Sequence, residues 1–234
     1  MSDYLEELKD IIFEGVALDI FRADQCISML NAIGTSAKFL NNQGFGDLFG
    51  SLQGYLTEHV VLSITKIFEK PTRYPIRSIP RALDILEKNS EIITITDHQT
   101  LINRLSKWEN QISIDNKTDS ELTILLVSIL RQETPSVHTD TLMKMNALKT
   151  MRDKQIAHHE ATAVENIEKV TWDEIDSILR FAKSTVGVIG KVYLELSYES
   201  EDGEYHLTGR AKRSGIALNR LFKKANLIET RGIG

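Results

Sequence analysis

Between Ile175 and Leu196 the apolar residues Ile175, Leu179, Ala182, Val186, Ile189, Tyr193 and Leu196 alternate in steps of four and three. On a helix such positions line one stripe, a seam suited to packing lengthwise against other long helices. Thr171-Trp172-Asp173-Glu174, just ahead of it, has the capping-box pattern in which the Thr and Glu side chains satisfy free amides at a helix start. A long helix with one apolar stripe needs helical partners, so this feature alone predicts a helical bundle.

The rest of the chain agrees with that reading. Leu5, Leu8, Ile12, Val16, Ile20, Ala23, Ile27 and Leu30 keep a three-or-four spacing, which predicts a long first helix ending near Gly34, with a short helix over Ser36 to Leu40 after it. Leu48 to Phe68 is again periodic. Gly44, Gly46 and Gly50 follow no strand and precede no Lys-Ser/Thr pair, so they read as a turn rather than a phosphate loop. Three of the four prolines, Pro71, Pro75 and Pro80, enforce an extended connection that also carries Arg73, Arg77 and Arg81. Those arginines read as solvated, with phosphate contact as the alternative. Helices are then expected over Ala82 to Lys88, Asp97 to Gln111 and Ser120 to Gln132, and another from Thr139 through Leu142, Met145, Leu148 and Met151. Few runs alternate Val, Thr and Tyr in the manner of strands. The expected fold is all-α, an antiparallel bundle of long helices over residues 1–198, followed by a turn and a basic C-terminal extension over 199–234.

That extension is electrostatically distinct. From Leu207 onward it holds Arg210, Lys212, Arg213, Arg220, Lys223, Lys224 and Arg231 against the single acid Glu229, although the whole chain carries a formal charge of -5. Lys212, Arg213, Lys223 and Lys224 are the candidate nucleic-acid contacts. The short apolar pattern Ile216, Leu218, Leu221 and Phe222 is too small to fold alone, so the extension should dock on the bundle or on a second subunit. Residues 1–30 hold seven acids against Lys9 and Arg22, and the two oppositely charged ends could face each other.

Cys26 is the only cysteine, which excludes an intrachain disulfide and a cysteine-rich zinc site. The acidic start of the chain and the lack of an apolar stretch of roughly 20 residues argue against export and membrane insertion, so the cytoplasm is the expected compartment. His59, His98, His138 and His206 are scattered, and none forms with a nearby carboxylate the pair that a helical metal site needs. No Gly-x-Ser-x-Gly elbow, Walker loop or dinucleotide fingerprint is present, and no cofactor is expected.

One stretch carries chemistry: Arg152-Asp153-Lys154-Gln155-Ile156-Ala157-His158, followed by His159. Arginine is permanently charged and matches phosphate in shape, while histidine exchanges protons near neutral pH. Arg131 and His138 have a similar spacing, but Pro135 between them would break a shared helix. At about 100° per residue, 152 and 159 lie almost on one helical face, whereas 152 and 158 are about 120° apart. The competing structural reading is a polar cluster at a helix C-terminus, where positive groups meet the helix dipole.

With Asp153 in the polar position after the arginine, Ala157 before His158, an amphipathic helix ahead and the capped long helix behind, this stretch resembles the motif of HEPN-type ribonucleases, most closely their abortive-infection, Abi U-type, branch. The close matches cover about Leu148 to Glu160, and the helix layout agrees loosely over about 1–198. The resemblance implies a metal-independent endoribonuclease that cleaves RNA through the ribose 2′-hydroxyl and acts as a toxin or phage-defence effector. It selects Arg152 and His158 as catalytic, with Asp153 and His159 supporting. It also implies a homodimer whose two motifs share one cleft, and it admits an antitoxin or regulatory protein as partner. Some HEPN toxins carry a modifiable tyrosine two residues after the motif histidine; Glu160 stands there, so that control is not implied. The alternative within the same family is a non-catalytic module that binds RNA or a partner protein.

Overall fold

The computed structural model describes residues 3–108, 116–134, 146–150, 152, 170–198 and 205–227. The chain opens with α1 (Asp3–Lys9), which runs without a break through a π-helical stretch (Asp10–Val16) into α2 (Ala17–Asn42). There follow α3 (Gly46–Ile67), α4 (Ile79–Lys88), α5 (His98–Trp108), α6 (Asp119–Glu133), α7 (Trp172–Tyr193) and α8 (His206–Lys224). Residues 146–150 are helical. Strands are absent among the described residues, and the fold is all-α as the sequence predicts. No helix among the described residues is long and apolar enough to cross a membrane.

The capped seam is realised as α7. Thr171 accepts from the Glu174 amide while the Glu174 carboxylate accepts from the Thr171 amide, and Ile175, Leu179, Ala182, Val186, Ile189 and Tyr193 are all buried. Burial extends to Ile178, Val188 and Val192, so α7 is covered over a wider arc than its seam. The helix stops at Tyr193, and Leu196 donates its amide back to the Gly190 carbonyl at 2.9 Å.

Two expectations are corrected. The first concerns Gly34, where the sequence reading ends one helix and starts a shorter one. The structure instead carries α2 through to Asn42. A mid-helix glycine costs only about 1 kcal/mol relative to alanine, and burial of Ile33, Ser36 and Leu40 on either side outweighs it. The actual stop is Gly44, at φ 81°, where the Phe45 amide reaches the Leu40 carbonyl at 2.9 Å in a Schellman closure that turns the chain into α3. The second concerns α4, which begins at Ile79 rather than Ala82. Pro80 sits in its first turn, where a missing N–H is harmless, and Ser78 caps the Arg81 amide.

α2 and α3 form an antiparallel hairpin, and α8 lies along α2. Thr208 hydrogen-bonds Asp24, the Ser28 hydroxyl donates to the Lys212 carbonyl and Gln25 donates to Ser214 at 2.7 Å. Further on, Phe222 is fully buried edge-on against Phe49 at 5.1 Å, so α8 advances in the same direction as α2.

α5 is capped by Asp97, whose carboxylate accepts the Thr100 amide and hydroxyl, both at 2.8 Å. The Thr100 amide bond is the leading cause that holds the Asp97 carboxyl below its usual range, with the Thr100 hydroxyl and Lys191 adding to it against the cost of desolvation. A depressed folded-state pKa stabilises above the unfolded value, and that contribution disappears as pH falls through the folded value. Asp97→Asn keeps a capping oxygen but cannot titrate. We expect its urea midpoint, followed downward from about pH 4, to fall less steeply than that of the wild type. Parallel curves for the two proteins would contradict the assignment.

Candidate active site

Of the sequence motif, Arg152 is the residue the structure describes; Asp153, His158 and His159 lie outside the described residues. The Arg152 guanidinium places Nη1 3.4 Å from Glu69 Oε2, with its side chain 20% exposed. The sequence gives no hint of this partner, 83 positions away.

Glu69 is firmly seated. α3 ends in Phe68, which is buried and stacks on Phe181 of α7 at 6.1 Å, and the Glu69 amide donates to the Lys66 carbonyl at 3.2 Å. Pro71 follows and fixes the direction of the departing chain. The carboxylate therefore projects from a point held by core packing on one side and a proline on the other.

Glu69 lines a cleft of about 620 Å³ formed by α1, the π-helical stretch, the start of α2, the end of α3 and the proline-rich connector. Its carboxylates are Glu7, Asp10, Glu14, Asp19 and Glu69; its cations are Arg22, Lys66, Arg77 and Arg81. Arg77 of the connector and Arg81 of the first turn of α4 are engaged with acids. Arg77 grips Asp10 through two bonds of 2.8 and 2.9 Å, and Arg81 binds Glu7. The hydrogen bond to Asp10, followed by its charge, raises the Arg77 pKa above its ordinary value. Both pairs are solvent-exposed, a class that contributes about 0–1 kcal/mol, so they shape the cleft wall more than they stabilise the fold. The Arg77 stem lies directly on Gly15, where a Cβ would collide with it. Glycine in the π-helical stretch thus lets the connector close onto the helix, and π-helical turns recur at functional sites. Lys66 has no ion-pair partner among the described residues.

The second candidate surface is α8. Lys212, Arg213, Lys223 and Lys224, picked from the sequence, are all exposed. Arg210 and Arg220 join them, and at about 100° per residue all six fall within an arc of about 160°. Ala211, Gly215 and Phe222 on the other side are buried, and α8 contains no acid. The near-heptad spacing of Arg213, Arg220 and Lys224 was the signal that would have added Arg220 to the candidates.

The cationic face and the cleft are not neighbours. α2 meets α8 through Asp24 and Ser28, but it meets the cleft through Asp19 and Arg22, which on a helical wheel lie close to the opposite side of the same helix. Among the described residues no group of three His, Cys, Asp or Glu converges to hold a metal.

A family model described as AbiU2, of the HEPN type, matches residues 3–213. No curated protein and no solved structure matches the chain. The match takes in α1 through the first turns of α8 together with the whole Arg152 to His158 stretch, and the chain belongs to the AbiU2 family of abortive-infection-associated HEPN proteins.

Proposed function

We propose that the protein is a metal-independent endoribonuclease acting as an abortive-infection effector. The supporting observation is the partner of Arg152: the motif arginine meets Glu69, which itself lines a cleft large enough to admit a nucleotide. In the reaction the 2′-oxygen forms a bond to the adjacent phosphorus as His158 takes its proton. The phosphorus–O5′ bond breaks, and the leaving oxygen takes a proton from the motif histidine of a second protomer. The products are a 2′,3′-cyclic phosphate and a 5′-hydroxyl. Arg152 meets the charge that grows on the phosphoryl oxygens, and His159 and Asp153 support the pair. Homodimerisation belongs to this proposal because in-line displacement puts the attacking and leaving oxygens on opposite sides of the phosphorus, where two histidines, one neutral and one protonated, can serve them.

The test is incubation of wild-type, Arg152→Ala and His158→Ala proteins with total RNA in EDTA, followed by end-group analysis. We expect cyclic-phosphate ends from the wild type and a loss of about 10²–10⁴-fold in rate from either substitution. Intact RNA from all three folded proteins would overturn the proposal.

One observation favours a second reading, a non-catalytic RNA-binding module: the six-cation face of α8 sits across α2 from the cleft. On that reading RNA binding survives Arg152→Ala but falls, with a shallower salt dependence, when Lys212, Arg213, Lys223 and Lys224 are neutralised.

A further inference from the structure

We propose that the cavity between α2, α3 and the start of α7 is a subsite for a single RNA base, one that carries an exocyclic amino group. This rests on the RNA readings above and adds to them a site apart from both the cleft and the sequence motif. The cavity has a volume of about 670 Å³, within the size range of ligand pockets. Ile27 and Leu30 give it an apolar lining, and Trp172, in the first turn of α7, lines it with an indole that is half exposed. Asn31 and Gln53 line it too, and among the described residues neither carboxamide has a hydrogen-bond partner. An aromatic face on which a base can stack, with polar side chains to read its edge, is the equipment of single-stranded RNA recognition.

The lining decides which part of a nucleotide enters. It holds no Lys, Arg or His but does hold Asp173 and Asp176, so a phosphate is repelled. The Thr35 and Thr57 hydroxyls donate to the Asn31 and Gln53 carbonyls of their own helices at 2.6 and 2.8 Å, so toward the cavity they can only accept. Asp176 pairs with Arg180 at 3.0 Å, whereas Asp173 has no ion-pair partner among the described residues. A wall dominated by acceptors selects a base edge that donates, the amino group of cytosine, adenine or guanine rather than the carbonyl of uracil. The phosphates have a separate place. Ser28 binds the Lys212 carbonyl; on the α2 wheel Asn31 lies about 60° to one side of Ser28, and Gln25, which donates to Ser214, about 60° to the other. The edge of α8 that carries Lys212 and Lys223, about 20° apart on its own wheel, is therefore the one nearer the cavity. An RNA strand with its backbone along this basic edge can turn one base into the cavity.

Anisotropy titration of the full chain with two short 2′-O-methyl oligonucleotides, one all cytosine and one all uracil, tests this; neither has the 2′-hydroxyl that cleavage needs. We expect the wild type to bind the cytosine strand about 10-fold more tightly. A Cβ at Gly34, which lines the cavity, meets nothing within 4 Å, so Gly34→Met adds a flexible side chain there without displacing a packed neighbour. This variant should keep its urea midpoint at or above that of the wild type, lose about 10-fold in affinity for the cytosine strand and show no preference between the two. Trp172→Ala should weaken both strands, and Asp173→Asn, which offers a donor in place of an acceptor, should narrow the preference. Equal binding of the two strands by the wild type overturns the subsite and leaves the RNA readings standing. Binding of neither strand overturns the subsite, and total RNA left intact by the wild type then overturns the RNA readings as well. An arginine-rich peptide that binds more tightly than the cytosine strand, and is lost in Gly34→Met, overturns the subsite in favour of a basic protein partner.

Discussion

Lys183→Met should cost the bundle about 3–5 kcal/mol, the largest single-site loss we expect anywhere outside the hydrophobic core. Lys183 Nζ lies 2.8 Å from Asp24 Oδ1, and the two side chains are 14% and 10% exposed. The second Asp24 oxygen accepts the Thr208 hydroxyl at 2.6 Å. One carboxylate therefore ties α7 and α8 to α2. Removing the ammonium leaves a charge out of water with a single hydroxyl for compensation, and that uncompensated charge dominates the cost. Replacing both partners is expected to do far less damage, because two apolar side chains of similar volume need no solvation. Urea unfolding of Lys183→Met and of Asp24→Leu/Lys183→Met measures this directly. A single variant within about 1 kcal/mol of the wild type would mean that the pair is solvated like a surface bridge.

Two glycines of the same helix should respond with opposite signs. A Cβ at Gly215 would sit inside van der Waals contact of the Ser28 carbonyl and hydroxyl, and a backbone carbonyl of a packed helix cannot yield cheaply. Gly215→Ala should push α8 away from α2, withdraw Phe222 from Phe49 and destabilise by about 1–3 kcal/mol. A Cβ at Gly209 meets nothing within 4 Å. Gly209→Ala should therefore stabilise by up to about 1 kcal/mol through helix propensity alone. If α8 binds RNA as the second reading proposes, RNA affinity provides a second readout, since a displaced α8 carries the cationic face with it. Equal effects from both substitutions would show that α8 does not seat on α2 as described.

The features that were legible in the sequence are those set by neighbours a few residues apart. The capping box and seam of α7 are local patterns, and the structure repeats them down to Tyr193. The Thr118–Glu121 capping box that starts α6 was equally available and places that start at Asp119. Gly34 misled because its propensity cost is local while the burial that overrides it comes from another helix. The π-helical stretch left no trace in the periodicity, since its accommodation depends on Arg77 lying on Gly15 from 62 positions away. Arg152 was singled out as a candidate from residue type and spacing. Glu69 was not, because its relation to Arg152 exists only once α3 has ended and the chain has returned. The choice of cationic residues on α8 followed from charge alone, but their position across α2 from the cleft required the packing of Thr208 on Asp24.

A ribosome making this chain completes α2 long before it makes the helix that lies along it. At about 5–20 residues per second, the interval between Asn42 and the first turn of α8 is on the order of ten seconds. Until α7 is made Asp24 has neither Lys183 nor Thr208, and Thr208 comes only with α8, as does the Lys212 carbonyl that Ser28 binds. Contacts separated by 184 positions close last, so the early hairpin is a waiting platform rather than a finished subdomain. Chains stalled before α8 emerges should therefore be drawn to chaperones through α2.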